Sequence, residues 1–167
     1  MTRKLVVLGA VATLAVLAGC ESGPPGAGPW MDLPPDAAGE SSAELFFSLS
    51  EQQTAVNQNR AYHAFLVWAD GQDESQNFGQ RIVRLENKGA VEPSWRHDPL
   101  KPLTRGRLAS MICRYLHVRG GVSFSAFGPI ERTSRRELEF RRVMLAGGGD
   151  CDPVSAAELV NILKRAD

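Results

Sequence analysis

Apolar residues recur along this chain in helical phase, in blocks divided by glycine and proline rather than in the two-residue alternation of strands. The spacing predicts a long helix from about Ser42 to Trp68, with Leu45, Phe46, Leu49, Val56, Phe65 and Leu66 on one face and a polar middle from Glu51 to Arg60. Asp70-Gly71 ends it. Asp73 and Gln76 read as a capping pair for a second helix that carries Phe78, Ile82 and Leu85 and stops at Gly89. Pro93 to Pro102 reads as loop, with Trp95 as its plug. Thr104 opens a third helix, in which Leu108, Met111, Ile112, Tyr115 and Leu116 follow the spacing of a core face. Val122–Phe127 alternates weakly and reads as a short strand. Ser134 with Glu137, and Ser155 with Glu158, make two further capping boxes. The first opens a helix with Leu138, Phe140, Val143 and Met144; the second opens one with Leu159, Ile162, Leu163 and Ala166. The expected fold is mostly α.

The third and last helices match at an offset of 51: Pro102 with Pro153, Thr104 with Ser155, Leu108 with Leu159, Met111 with Ile162, and Arg114 with Arg165. The helices before them match at an offset of 58, with Ile82 on Phe140, Leu85 on Val143 and Gly89 on Gly147. The chain therefore predicts a small helical domain over 41–167. It is built from two helix–loop–helix repeats, about 73–116 and 132–166, plus the long N-terminal helix. Neither helix pair has enough apolar surface to stand alone, so the repeats share one core.

The first 40 residues follow a different pattern. Arg3 and Lys4 precede an uncharged apolar run, Leu5 to Gly19, which is 15 residues long and short of the roughly 20 that span a bilayer. The run ends in Leu17-Ala18-Gly19-Cys20. A basic start, a short apolar stretch and small residues before a cut are the parts of a secretory signal peptide. With cysteine at the junction, the segment resembles the lipobox of bacterial lipoproteins. That resemblance implies a signal peptide at 1–19, removed on export, and fatty acylation of Cys20. Two or more acyl chains anchor stably where one does not. Glu21 stands where an Asp in that family often retains the protein in the inner membrane, so the outer membrane is favoured. Residues 20–40, with Pro24, Pro25, Pro29, Pro34 and Pro35 among glycines, read as a tether that buries no core.

Overall charge is balanced, with 19 basic against 19 acidic residues, and losing Arg3 and Lys4 leaves 17 against 19. The balance hides an asymmetry. Asp32 to Leu100 holds 11 acidic and 5 basic residues, whereas Lys101 to Arg142 holds 10 basic and 3 acidic. The halves either neutralise each other or leave a basic face for an anionic envelope polymer. An exported protein is not expected to meet nucleic acid. Export also makes a disulfide between Cys113 and Cys151 a candidate.

The repeat unit, a helix with a glycine stop, a loop and a hydroxyl-capped helix, resembles a degenerate S-layer homology module. The residues that carry the likeness are Leu85 to Gly89 with Leu103-Thr104-Arg105-Gly106-Arg107-Leu108, and Val154-Ser155-Ala156-Ala157-Glu158-Leu159. The resemblance covers about half of the chain and implies binding of a cell-wall polysaccharide, with Thr104 and Arg105 as the matching contact residues. Arg107 replaces the signature glutamate, and Ala156 replaces the arginine in the second copy. Physically, Arg105 at a helix N-terminus would join a guanidinium to free N–H groups.

Little else points to chemistry. His63, His97 and His117 lack the spacing of a zinc site. Gly147-Gly148-Gly149-Asp150 lacks the Lys of a phosphate loop. Asp150 and Asp152 begin like a calcium loop, but Val154 and Asn161 occupy ligand positions. No Gly-x-Ser-x-Gly elbow occurs. The expectation is a lipid-anchored envelope protein with no catalytic residues, metal or cofactor, its partners being the membrane and an anionic wall polymer. An adaptor for another envelope protein, or a small envelope hydrolase, are the alternatives.

Overall fold

A computed structural model describes residues 42–167; the segments expected to form a signal peptide and a tether, with Cys20 between them, lie outside that range. The described domain is all-α, with seven helices: α1 Ser42–Ser50, α2 Gln58–Asp70, α3 Phe78–Asn87, α4 Arg105–Tyr115, α5 Val122–Phe127, α6 Glu131–Phe140 and α7 Ala156–Ala166.

The long N-terminal helix is two helices. Asn57 has extended backbone and its side chain accepts from Arg60 N at 2.9 Å, so a fresh helix starts there. The polar stretch between α1 and α2 has another task. Val56 N donates to Val154 O, Val154 N to Leu103 O, and Leu103 N to Val56 O, each at 2.9 Å. These three bonds close a ring. Each ring residue is buried and is followed by an N-cap: Asn57, Thr104 and Ser155. The pattern repeats outward, with Gln58 N donating to Lys101 O, Arg105 N to Asp152 O, and Ala156 N to Thr54 O. The domain is thus a pseudo-threefold array of three units, not two.

Helix packing follows the same rotation. α3 lies on α2, α6 on α4, and α1 on α7. The first helix therefore completes the pair begun by the last and closes the array, through Leu45 and Leu49. The core runs through all three units, with Tyr62, Phe65 and Leu66 of α2, Leu108, Met111 and Ile112 of α4, and Leu159 and Leu163 of α7 buried together. Phe65, Trp68 and Tyr115 meet edge to face at 5.2–5.6 Å.

Other boundaries also move. Asn77, not Asp73, caps α3, because its side chain accepts from Gln80 N. Val122–Phe127 is helical rather than a strand: Ser125 N reaches back to Gly121 O and Gly128 N to Phe124 O. α6 begins a turn before Ser134, which is fully buried inside the helix and caps nothing. α6 also stops earlier than the glycine run. Arg142 takes the left-handed turn (φ 61°) that Gly89 takes after α3 (φ 68°). Ala90 N returns to Leu85 O, and Val143 N to Leu138 O. The two helices therefore correspond at an offset of 53, not 58. Glycine is the residue suited to that turn, and the arginine concealed it.

Candidate ligand-binding rim at the helix caps

Thr104 and Arg105 sit where two units of the ring meet. Thr104 is extended, and its hydroxyl accepts from Arg107 N at 3.3 Å, as an N-cap should. The N–H groups of α4 are not open to a ligand. Arg105 N donates to Asp152 O at 2.9 Å and Gly106 N to Asp150 O at 2.8 Å. α7 is closed in the same way: Ala156 N and Ala157 N donate to Thr54 O and Gln52 O, and Glu158 N to Ser155 Oγ. Gln58 N, Asn59 N and Arg60 N of α2 complete the set. The helix starts hold the ring together, which removes the free N–H groups from the case for an anion at Arg105.

The Arg105 guanidinium is also engaged. Nη1 donates to Glu158 Oε1 at 2.5 Å and Nη2 to Leu145 O at 2.6 Å; the side chain is 12% exposed. Arg105 thus ties α4 to α7 and to the loop after α6. Its Cδ passes close beneath Gly148, whose positive φ (74°) turns the loop over it. Sequence reasoning paired Glu158 with Ser155 as a capping box, and the structure gives Glu158 to Arg105 of the neighbouring unit.

Arg107, which stands at the signature's glutamate position, lies over the Trp95 ring, 5.5 Å from its centre, and donates to Arg96 O. Trp95 packs partly buried against the core, the plug expected of it. Beside it, His97 Nδ1 meets Tyr62 Oη at 3.0 Å. Burial and then the nearby Arg107 charge depress the His97 pKa. Glu131 lies 3.6 Å from Arg107. Its pKa is raised, because burial and the neighbouring Asp150 outweigh Arg107. Arg135 joins Asp150 and Glu139, both at 2.5 Å. The rim is therefore a mesh of paired charges with Lys101 exposed at its edge. It offers hydrogen bonds and charge to a polar ligand.

Among the described residues no group of three or more metal-ligating side chains converges. No described helix is long and apolar enough to cross a membrane. Cys113 is a free thiol, buried between α4 and α6 and directed at Ser134 O, while Cys151 is exposed in the loop before α7. The candidate bridge between them is not made. Burial pushes the Cys113 thiol up to about 11, so at neutral pH it is protonated and unreactive.

Two features escaped the sequence reading. One is the third unit: Val56-Asn57 with Arg60-Ala61 matches Leu103-Thr104 with Arg107-Leu108 at an offset of 47, a signal masked by the assumption of one continuous helix. The other is a buried ionic cluster. Asp73, with its side chain fully enclosed, accepts from Arg81 Nε at 2.7 Å and Ser75 N at 2.9 Å, and its Oδ2 lies 2.8 Å from His63 Nδ1. Burial alone would raise its pKa, but these hydrogen bonds hold it well below the carboxylate range. No protein-family model matches the chain, and neither a curated protein nor a solved structure is significantly similar to it.

Proposed function

We propose that this chain is a bacterial envelope lipoprotein, anchored through Cys20, whose helical domain has a binding role on an anionic wall or surface polysaccharide rather than a catalytic one. The observation that carries the reading is the pseudo-threefold ring. The S-layer homology resemblance rested on two copies, and the unit at Val56-Asn57 supplies a third. A ring of three capped helix starts makes three related junctions at its rim, a repeated surface suited to a repeating polymer. Charged side chains line two of these junctions: Arg105 with Glu158 between the second and third units, and Lys101 with Arg107 between the first and second.

Retention on purified sacculi tests this. The full chain is expected to bind, to release as salt rises, and to bind less with Lys101→Ala or Arg105→Ala. Equal retention of all three proteins removes both junctions from the reading. Absent retention of the wild type removes the polysaccharide. Cys20→Ser tests the anchor separately: fatty-acid labelling should disappear, and persistence of the label would refute it.

A further inference from the structure

The α5–α6 face carries charge and apolar surface that nothing in the described domain uses. Arg132, Arg136 and Phe140 stand at i, i+4 and i+8 on α6, so they form one stripe. That stripe lies opposite Ser134 and Leu138, which face the core. Phe140 is 84% exposed. The packed neighbour α5 buries only Phe124 and leaves Val122 and Phe127 in solvent, at 89% and 69% exposure. All the carboxylates of this hairpin are matched. Glu131 lies against Arg107, Glu137 against Arg141, and Glu139 against Arg135. Among the described residues, Arg119, Arg132, Arg136 and Arg142 have no ion pair. The unmatched charge of the α5–α6 hairpin and its flanks is therefore wholly positive, and the same hairpin exposes Phe127 and Phe140.

We infer that the α5–α6 face docks on the surface of an anionic bilayer, with Phe127 and Phe140 entering the headgroup boundary and the arginines meeting lipid phosphates. One observation favours lipid over a wall polymer: large aromatic side chains, Phe127 and Phe140, are presented to solvent on the same hairpin as the unpaired arginines. Basic residues near an anionic membrane and apolar side chains at its boundary act together in this way. The inference rests on the proposed anchor at Cys20, which would hold the face near a membrane.

Hydrogen exchange on the full-length lipidated chain tests it, with the protein reconstituted in phosphatidylcholine vesicles with or without 30% phosphatidylglycerol. Amides of residues 119–142 should exchange more slowly only in the anionic vesicles, and high salt should abolish the difference. Neutralising Arg132→Gln and Arg136→Gln together should lower the docking equilibrium roughly 30-fold, at about fivefold per arginine. Phe140→Ser should weaken it independently. Both changes lie at exposed positions, and unchanged exchange in α2 and α4 verifies the fold. Equal exchange in the two vesicle types overturns the docking. So does unchanged protection in both variants, or loss of sacculus retention on Arg132→Gln/Arg136→Gln without any change at the vesicle. Failure of the protein to stay with either vesicle refutes the anchor instead, which keeps the two failures apart.

Discussion

Where α3 meets α2, Arg81 reaches across to Asn59 and Asp73; at the equivalent place where α6 meets α4, Ser134 and Gly106 let the two helices touch. Arg81 Nη1 donates to Asn59 Oδ1 at 2.5 Å, and Asp73 draws in His63 from α2 and Arg81 from α3. In the α4–α6 pair, the positions of Asn59 and His63 are Gly106 and Ser110. A Cβ on Gly106 would stand 2.8 Å from Glu131 Cβ and 2.9 Å from Asp150 O. Ser110 Oγ donates to Pro129 O at 2.5 Å, and Cys113 fills the space beside Ser134. One backbone arrangement thus accepts a charged bridge in one unit and close contact of small residues in another. The charged bridge pairs its buried Asp73 and Arg81, whereas the close contact leaves the Ser134 hydroxyl buried without a protein partner, a cost the tight packing has to offset.

The charged interface should break hardest. Asp73→Ala leaves Arg81, 7% exposed, without its carboxylate, and loss of one partner of a buried pair costs about 3–5 kcal/mol. Urea unfolding at pH 7 measures it. The pH dependence has a definite sign. The folded pKa of Asp73 is depressed, so its contribution is fully present above the unfolded value of about 3.9 and is lost as pH falls through the lower folded value. The stability gap between wild type and Asp73→Asn should therefore be widest near neutrality and shrink below about pH 4. A gap constant from pH 7 to pH 3 would mean that packing, not ionisation, holds α2 to α3.

The close interface should be sensitive to volume instead. Gly106→Ala gains helix propensity of about 1 kcal/mol, yet its methyl meets backbone and a Cβ that cannot swing aside. Overpacking of this kind costs about 1–3 kcal/mol, so a net loss in thermal stability is expected, with no dependence on pH between 5 and 8. Asn59→Ala at the matching place in α2 meets no such wall. It should cost about 1 kcal/mol, through the hydrogen bond to Arg81.

The ring's caps set the next scale. Thr104→Ala and Ser155→Ala each remove an acceptor for a helix N–H and should cost about 1 kcal/mol. Asn57→Ala should cost a similar amount, and that parity is what a threefold array requires. These three caps differ in how legible they were. Thr104 and Ser155 stand before apolar helical runs after Pro102 and Pro153, so local chemistry announces them. Asn57 follows a stretch whose polar residues face a ring that only tertiary contact creates. The helical class, the core of α4 and α7 and the stop at Gly89 were local facts and could be read. Arg142 in a left-handed turn, Asp73 in an ionic cluster and Glu158 turned from its own cap to Arg105 depend on partners distant in sequence, and spacing carries no trace of them.

Arg105 and Glu158 offer the finest test of the comparison, because the other two junctions lack the pair. At the Val56–Leu103 junction the equivalent residues are Gln58 and Arg107, and they go elsewhere: Gln58 Oε1 accepts from Asp98 N, and Arg107 lies over Trp95. At the Val154–Val56 junction they are Ala156 and Arg60, and Arg60 donates to Ser48 Oγ. The backbone ring closes at all three with the same 2.9 Å bonds, so the ion pair is an addition to one junction and not a condition for closure. Its side chains are 12% and 23% exposed. A double-mutant cycle of Arg105→Ala and Glu158→Ala should give a coupling of about 1 kcal/mol or less. A coupling of about 3 kcal/mol or more, in the range of a buried pair, would show that this junction carries the array. Loss of sacculus retention in Arg105→Ala would then report a damaged ring, whereas a small coupling leaves that loss as evidence about the ligand.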